Sequence, residues 1–152
     1  EMASAYGVLA NKGVYVEPTI VNKIEFANDS IEITKTPKEH TVVSSEVAYI
    51  MTDMLRAVVD SDYGTGKRAR ISTGMPVSGK TGTTNNEREV WFVGYTPYYV
   101  ASTFVSDDEG IRGVAGGSGV AANLWSRVMS QIHDTLEVKE FEKPSNIDFK
   151  SI

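Results

Sequence analysis

The sequence contains no cysteine and two histidines in 152 residues. No disulfide and no thiol nucleophile is therefore available, although this says little about the compartment. His40 and His133 are far apart and have no companion ligand cluster. Neither a metal centre nor a cofactor is expected, and each histidine reads as a surface or capping residue. Basic residues are in the minority, 15 against 20 acidic, and the net charge of −5 argues against a nucleic acid partner. No apolar run reaches the length of a membrane span, and no signal-peptide pattern is present. The chain opens on Glu1-Met2-Ala3-Ser4-Ala5-Tyr6, already helical in spacing and without an obvious cap, as a cut chain would.

What is present centres on Val77-Ser78-Gly79-Lys80-Thr81-Gly82-Thr83-Thr84. The stretch is too polar for a buried strand. It offers one cation, the hydroxyls of Thr81, Thr83 and Thr84, and two glycines, Gly79 and Gly82, against which another molecule can lie close. As a strand it places Thr81 and Thr83 on one face and Lys80 on the other, so the lysine stem must curl back to serve a ligand at the strand edge. Hydroxyls backed by an ammonium suit a carboxylate, because charge-assisted hydrogen bonds are about twice as strong as neutral ones. A solvated, threonine-rich edge strand is the plain alternative.

Two motifs compete for these residues. Gly74-Met75-Pro76-Val77-Ser78-Gly79-Lys80-Thr81 matches the P-loop letter for letter. A P-loop needs a buried strand before it and a helix after it. Lys67-Arg68-Ala69-Arg70 is too charged for the first, and Gly82-Thr83-Thr84-Asn85-Asn86 is a poor start for the second. A nucleotide-binding protein is thus a remote alternative. The other motif is Lys80-Thr81-Gly82, known from penicillin-binding proteins and class A β-lactamases. It is followed by Trp91-Phe92-Val93-Gly94-Tyr95-Thr96-Pro97, with Gly64-Thr65-Gly66 upstream and Gly116-Gly117 before the last helix. Over residues 1 to about 147 this pattern resembles the transpeptidase domain of penicillin-binding proteins, particularly the bifunctional class A peptidoglycan synthases.

The resemblance implies a serine D,D-transpeptidase that cross-links peptidoglycan stem peptides and is acylated by β-lactams. It implies that Lys80, Thr81, Gly82 and Thr83 are substrate-binding, with Lys80, Thr81 and Thr83 taking the terminal carboxylate of the stem peptide or drug. The Thr83 backbone N–H would be one oxyanion donor. The family's Ser-x-x-Lys and Ser-x-Asn motifs occur nowhere in the sequence. Residues 1–137 are therefore expected to be the C-terminal portion of the domain, with 138–152 a tail. The partner is then the N-terminal, nucleophile-bearing half, and the location the outer face of the bacterial cytoplasmic membrane, anchored by a segment not in this chain. A carboxylate-binding fragment without catalysis is the rival reading.

Along the chain, Met2, Ala5, Tyr6 and Leu9 predict a helix stopped at Asn11-Lys12-Gly13. Val14 to Val21 and Ile24 to Phe26 read as extended, and Asn28-Asp29-Ser30 as the turn of a peripheral hairpin that returns through Ile31 and Ile33. Ser44 caps a helix whose Val47, Ile50, Met51, Met54, Leu55 and Val58 are expected to be core. Asp60 to Arg70 is a loop, with Lys67, Arg68 and Arg70 a solvated cationic run. Val90 to Tyr95 reads as a central strand, Tyr99 to Val105 as the next, and Asp107-Asp108-Glu109-Gly110 as a turn. Ala121, Leu124, Trp125, Val128, Met129, Ile132 and Leu136 line the buried side of a closing helix. Three strands in meander order with helices on their faces make an α+β fold with an antiparallel sheet, like the serine transpeptidase and β-lactamase fold.

Overall fold

The computed structural model describes residues 1–26 and 32–148. Helix α1, Met2–Ala10, ends where Lys12 and Gly13 turn to positive φ. Gly13 is required there: a Cβ would lie 2.1 Å from the Val43 carbonyl oxygen. Four short strands follow, β1 (Val14–Val16), β2 (Lys23–Glu25), β3 (Glu32–Thr34) and β4 (Glu39–Thr41). β1 pairs with β4 and β2 with β3, both antiparallel. The hairpin is present, whereas the first extended run is shorter than expected, since Pro18 lacks the N–H a ladder needs. The expected turn at Asn28-Asp29-Ser30 lies outside the described residues.

Helix α2, Ser45–Asp60, is capped by Ser44, whose hydroxyl accepts from the Val47 amide at 3.4 Å. Its buried face differs from the expected one. Ala48, Thr52, Leu55 and Val59 are inside, while Val47, Ile50, Met51 and Met54 are exposed, Met54 at 59 %. The small Ala48 and the hydrogen-bonding Thr52 lie where the helix meets the sheet, and the bulky stripe is turned about one residue away.

The main sheet is a meander of β5 (Ser78–Thr83), β6 (Glu89–Tyr95) and β7 (Val100–Ser106), in the order β5-β6-β7. Val90 and Phe92 point to one face of β6, Val93 and Tyr95 to the other, and all four are buried. Helix α3, Ser118–Ile132, covers the first face, with Trp125 edge-on to Phe92 at 5.2 Å. Around them Val59, Ala69, Ile71, Met75, Val77 and Met129 complete the core. Helix α1 packs on the opposite face, where Tyr6 meets Tyr95. Of the expected α3 stripe, Ala121, Trp125 and Met129 are buried, but Leu124, Val128 and Ile132 are 45–49 % exposed. The alanines at 121 and 122 let the helix settle on that side instead.

Two polar expectations also change. His133 is fully buried rather than on the surface. Its Nδ1 lies 2.7 Å from the Met129 carbonyl, which only accepts, so Nδ1 carries the proton and Nε2 accepts from Thr96 Oγ1 at 2.8 Å. The cationic run is not simply solvated: Arg70 donates to the carbonyls of Val59 and Asp60, and Lys67 to that of Asp62. Beyond α3, residues 138–148 follow the surface, fastened by Arg56–Glu140 at 2.7 Å, Lys12–Glu142, and Asn146 Nδ2 to Glu46 Oε1 at 2.8 Å. Phe141 adds an edge contact to Tyr95.

Candidate functional site

Strand β5 is the edge of the main sheet, and its free side has no partner strand among the described residues. Its first residue is tied to helix α2. Ser78 is buried, and its hydroxyl donates to the Thr52 carbonyl at 2.8 Å. The Thr52 hydroxyl donates to the Ala48 carbonyl and therefore accepts from Tyr95 Oη, 2.8 Å away. Burial raises the Tyr95 pKa to about 12.

Gly79 is explained by packing rather than by room for a ligand. A Cβ there would lie 2.6 Å from Phe92 Cζ and 2.9 Å from Gly94 Cα, so the glycine lets the core phenylalanine lie beneath the strand. Gly82 is half-buried, and a Cβ there would meet Trp91 Cβ at 3.2 Å.

The strand then turns polar and accessible. Lys80 is exposed, and its stem curls so that Nζ donates to Thr81 O at 3.0 Å and lies 3.4 Å from Thr81 Oγ1. Thr81 and Thr83 share a face; Thr81 is half-buried and Thr83 exposed. Thr84 does not join them. It closes the turn into β6, its amide donating to Glu89 O and its hydroxyl accepting from the Glu89 amide, both at 3.0 Å.

That closure fixes the direction of every amide in the strand. Thr84 and Glu89 are hydrogen-bonded through the backbone, and antiparallel ladders alternate bonded and non-bonded pairs. The amides of Ser78, Lys80 and Gly82 therefore face β6, and those of Gly79, Thr81 and Thr83 face the open edge. The ammonium, the two hydroxyls and the outward amides of Thr81 and Thr83 thus lie along one accessible margin. In chemistry and geometry such a set suits an anionic, extended ligand that adds to the strand edge.

Thr65 belongs to this cluster, although no role for its side chain is legible in the sequence. Its Oγ1 is 2.7 Å from Thr81 Oγ1. The signal was Gly64-Thr65-Gly66, which presses the loop onto α2: the Gly66 amide donates to Val58 O at 2.9 Å, and a Cβ at Gly64 would lie 2.2 Å from that oxygen.

The P-loop reading fails on geometry. Lys80 and Thr81 are inside an extended strand, and a 3₁₀ turn at Asn85–Glu87 follows instead of a helix. Among the described residues no three His, Asp or Glu side chains converge to hold a metal ion. A groove of about 480 Å³ between α1, α2 and the tail, lined by Lys12, Tyr49, Glu140 and Glu142, is not lined by any residue from Lys80 to Thr83.

Comparison with known proteins shows what the chain as a whole resembles. Residues 1–130 match the family model described as the penicillin binding protein transpeptidase domain. The sequence is 36 % identical over 146 residues to penicillin-binding protein 1A of Clostridium acetobutylicum, covering 96 % of this chain and 18 % of that protein. It is also 36 % identical over 162 residues to penicillin-binding protein 1A/1B of Bacillus subtilis, covering 96 % and 17 %. The chain thus spans less than a fifth of the length of these relatives. The crystal structure of penicillin-binding protein 1A from Haemophilus influenzae superimposes with a TM-score of 0.78 over 95 % of this chain and 27 % of that one, at 22 % identity, a likeness of fold.

Proposed function

Because the chain belongs to the penicillin-binding protein transpeptidase family, we propose that it supplies the carboxylate-binding wall of a serine D,D-transpeptidase. One observation carries this reading: Lys80 Nζ, the hydroxyls of Thr81 and Thr83 and the outward Thr83 amide share the open edge of β5. A D-Ala-D-Ala stem peptide, or a β-lactam, lies along that edge with its carboxylate on the two hydroxyls. Lys80 stabilises the negative charge. The Thr83 N–H donates to the carbonyl oxygen as it gains charge, beside a second donor from the nucleophile's own amide. Oxyanion donors of this kind are worth about 3–4 kcal/mol in other acyl-transfer enzymes.

The nucleophile and its base come from a complementary N-terminal half, since Ser-x-x-Lys is missing from the sequence. The exposed stripe Val47, Ile50, Met51 and Met54, the outer residues Leu124 and Val128, and the second edge of β7 support such a partner. Residues 1–137 form the C-terminal portion of the domain and 138–152 its tail. The whole works in peptidoglycan cross-linking on the outer face of the cytoplasmic membrane, held there by a segment outside this chain. A carboxylate-binding fragment without turnover is the second reading, favoured by the same missing motif.

Incubation of the full protein with penicillin, followed by intact and peptide mass spectrometry, tests the proposal. One adduct on a serine outside residues 1–152 is the expected result. An adduct on Ser78 or any other serine of this chain overturns the division of labour, and no adduct at all leaves the binding fragment.

A further inference from the structure

We propose that Thr65 is a positioning residue for carboxylate recognition, acting by fixing the direction in which the Thr81 hydroxyl donates. The inference rests on the transpeptidase reading of the β5 edge. A hydroxyl has one proton to give and two acceptor positions. Thr81 Oγ1 has Thr65 Oγ1 at 2.7 Å and Lys80 Nζ at 3.4 Å. An ammonium only donates, so Thr81 accepts from Lys80 and has one proton and one acceptor position left.

A carboxylate only accepts. When one arrives, Thr81 must give it the proton, and its second acceptor position is then filled by Thr65 donating. The pair keeps its separation and takes one polarity: Thr65 to Thr81 to carboxylate, with Lys80 donating from the side. Every acceptor position of Thr81 is then occupied by a donor, so its proton has no competing direction. Remove the Thr65 hydroxyl, and Thr81 becomes free to rotate away from the ligand.

The loop is built to hold that hydroxyl. Gly64 and Gly66 bring it against the carbonyl of Val58, as described above, and a Cβ at Gly66 would also crowd Phe92 at 3.3 Å. Lys67 Nζ closes it onto Asp62 O at 3.1 Å. Thr65 itself is exposed, so core packing does not account for its placement.

The test is a mutant cycle in the full protein, read as the second-order rate of acylation by a fluorescent penicillin. Thr65→Val is expected to lower that rate by about five- to tenfold, the worth of one neutral hydrogen bond. Thr65→Ser, which keeps the hydroxyl, recovers most of the loss. In a Thr81→Val background the Thr65→Val penalty disappears, because the two act through one contact. Thr65→Ala repeats the cycle if valine prevents folding. Equal penalties in both backgrounds, or no recovery with serine, overturn the inference while leaving the transpeptidase reading intact. An unmodified wild-type protein overturns both.

Discussion

The hydroxyl of Ser78 donates to the backbone carbonyl of Thr52, 2.8 Å away, and so fastens the strand that carries Lys80 to helix α2 two residues before the cation. Both partners are buried, and neither faces the open strand edge. Ser78→Ala is expected to lower unfolding stability by about 0.5–1.5 kcal/mol, the net worth of a buried neutral hydrogen bond. Ser78→Val should cost more, because it adds volume where there is no space. Urea unfolding checks both.

Tyr95 extends the same network and gives it a pH dependence. Its pKa is raised to about 12 by burial, with the nearby Tyr6 adding to the rise, whereas an unfolded tyrosine titrates near 10. The fold therefore favours the neutral phenol. Its contribution is complete below about pH 10 and is lost as pH rises through about 12. Tyr6, also raised by burial, contributes in the same direction. Tyr95→Phe should flatten this alkaline loss and lower stability at neutral pH by about 1 kcal/mol, since Thr52 Oγ1 loses a donor. Unfolding followed at several pH values above 8 reads both effects.

The tail responds at the acid end. Glu46 is held down to about 2, first by the hydrogen bond from Asn146 and then by Ser44 at the helix cap. A depressed carboxylate stabilises the fold above its ordinary value of 4.5, and the effect is lost as pH falls through about 2. Glu142, lowered by Lys12, follows the same sign. Proteolysis within residues 138–148 should therefore accelerate below about pH 4, and at high salt, which screens exposed pairs. Asn146→Ala should raise the Glu46 pKa in an NMR titration.

At the site itself, Thr83→Val removes a hydroxyl but keeps the amide. It should slow acylation by roughly ten- to a hundredfold, the loss expected for a hydrogen bond to a charged group. Lys80→Ala should cost at least as much. Stopped-flow acylation measures both, and calorimetry with a nucleotide should show no binding in wild type or variant. Unchanged acylation in both variants would displace function from this strand.

The three-strand meander, the Ser44 cap and the glycine break before α3 were legible because each depends on local signals: period-two apolar runs, a hydroxyl before a helix, and successive glycines. Rejection of the P-loop was legible for the same reason, since charge before Gly74 and poor helix formers after Thr81 exclude its context. The buried face of α2 was not. Thr52 counts against a buried position by polarity, yet inside the fold its hydroxyl donates to the Ala48 carbonyl and accepts from the distant Tyr95. His133 was misread likewise, because Thr96 and Met129 satisfy it from inside. Strand β4, fully exposed as Glu39-His40-Thr41, has no apolar alternation to reveal it and exists through its pairing with β1. Thr84 looked like a third ligand hydroxyl, and its use in the turn depends on Glu89 across the ladder.

Strand β5 is secured at both ends, by Ser78 on α2 and by Thr84 on Glu89, while the side chains between Lys80 and Thr83 are solvent-accessible. This separates two kinds of inheritance. Changes at the ends act on stability, whereas changes at Thr81 or Thr83 act, on the carboxylate-binding reading proposed above, on what the edge grips. On that reading, a lineage can try new ligand preferences one residue at a time without first acquiring a compensating stabiliser. The framework around the edge stays the same while its chemistry changes.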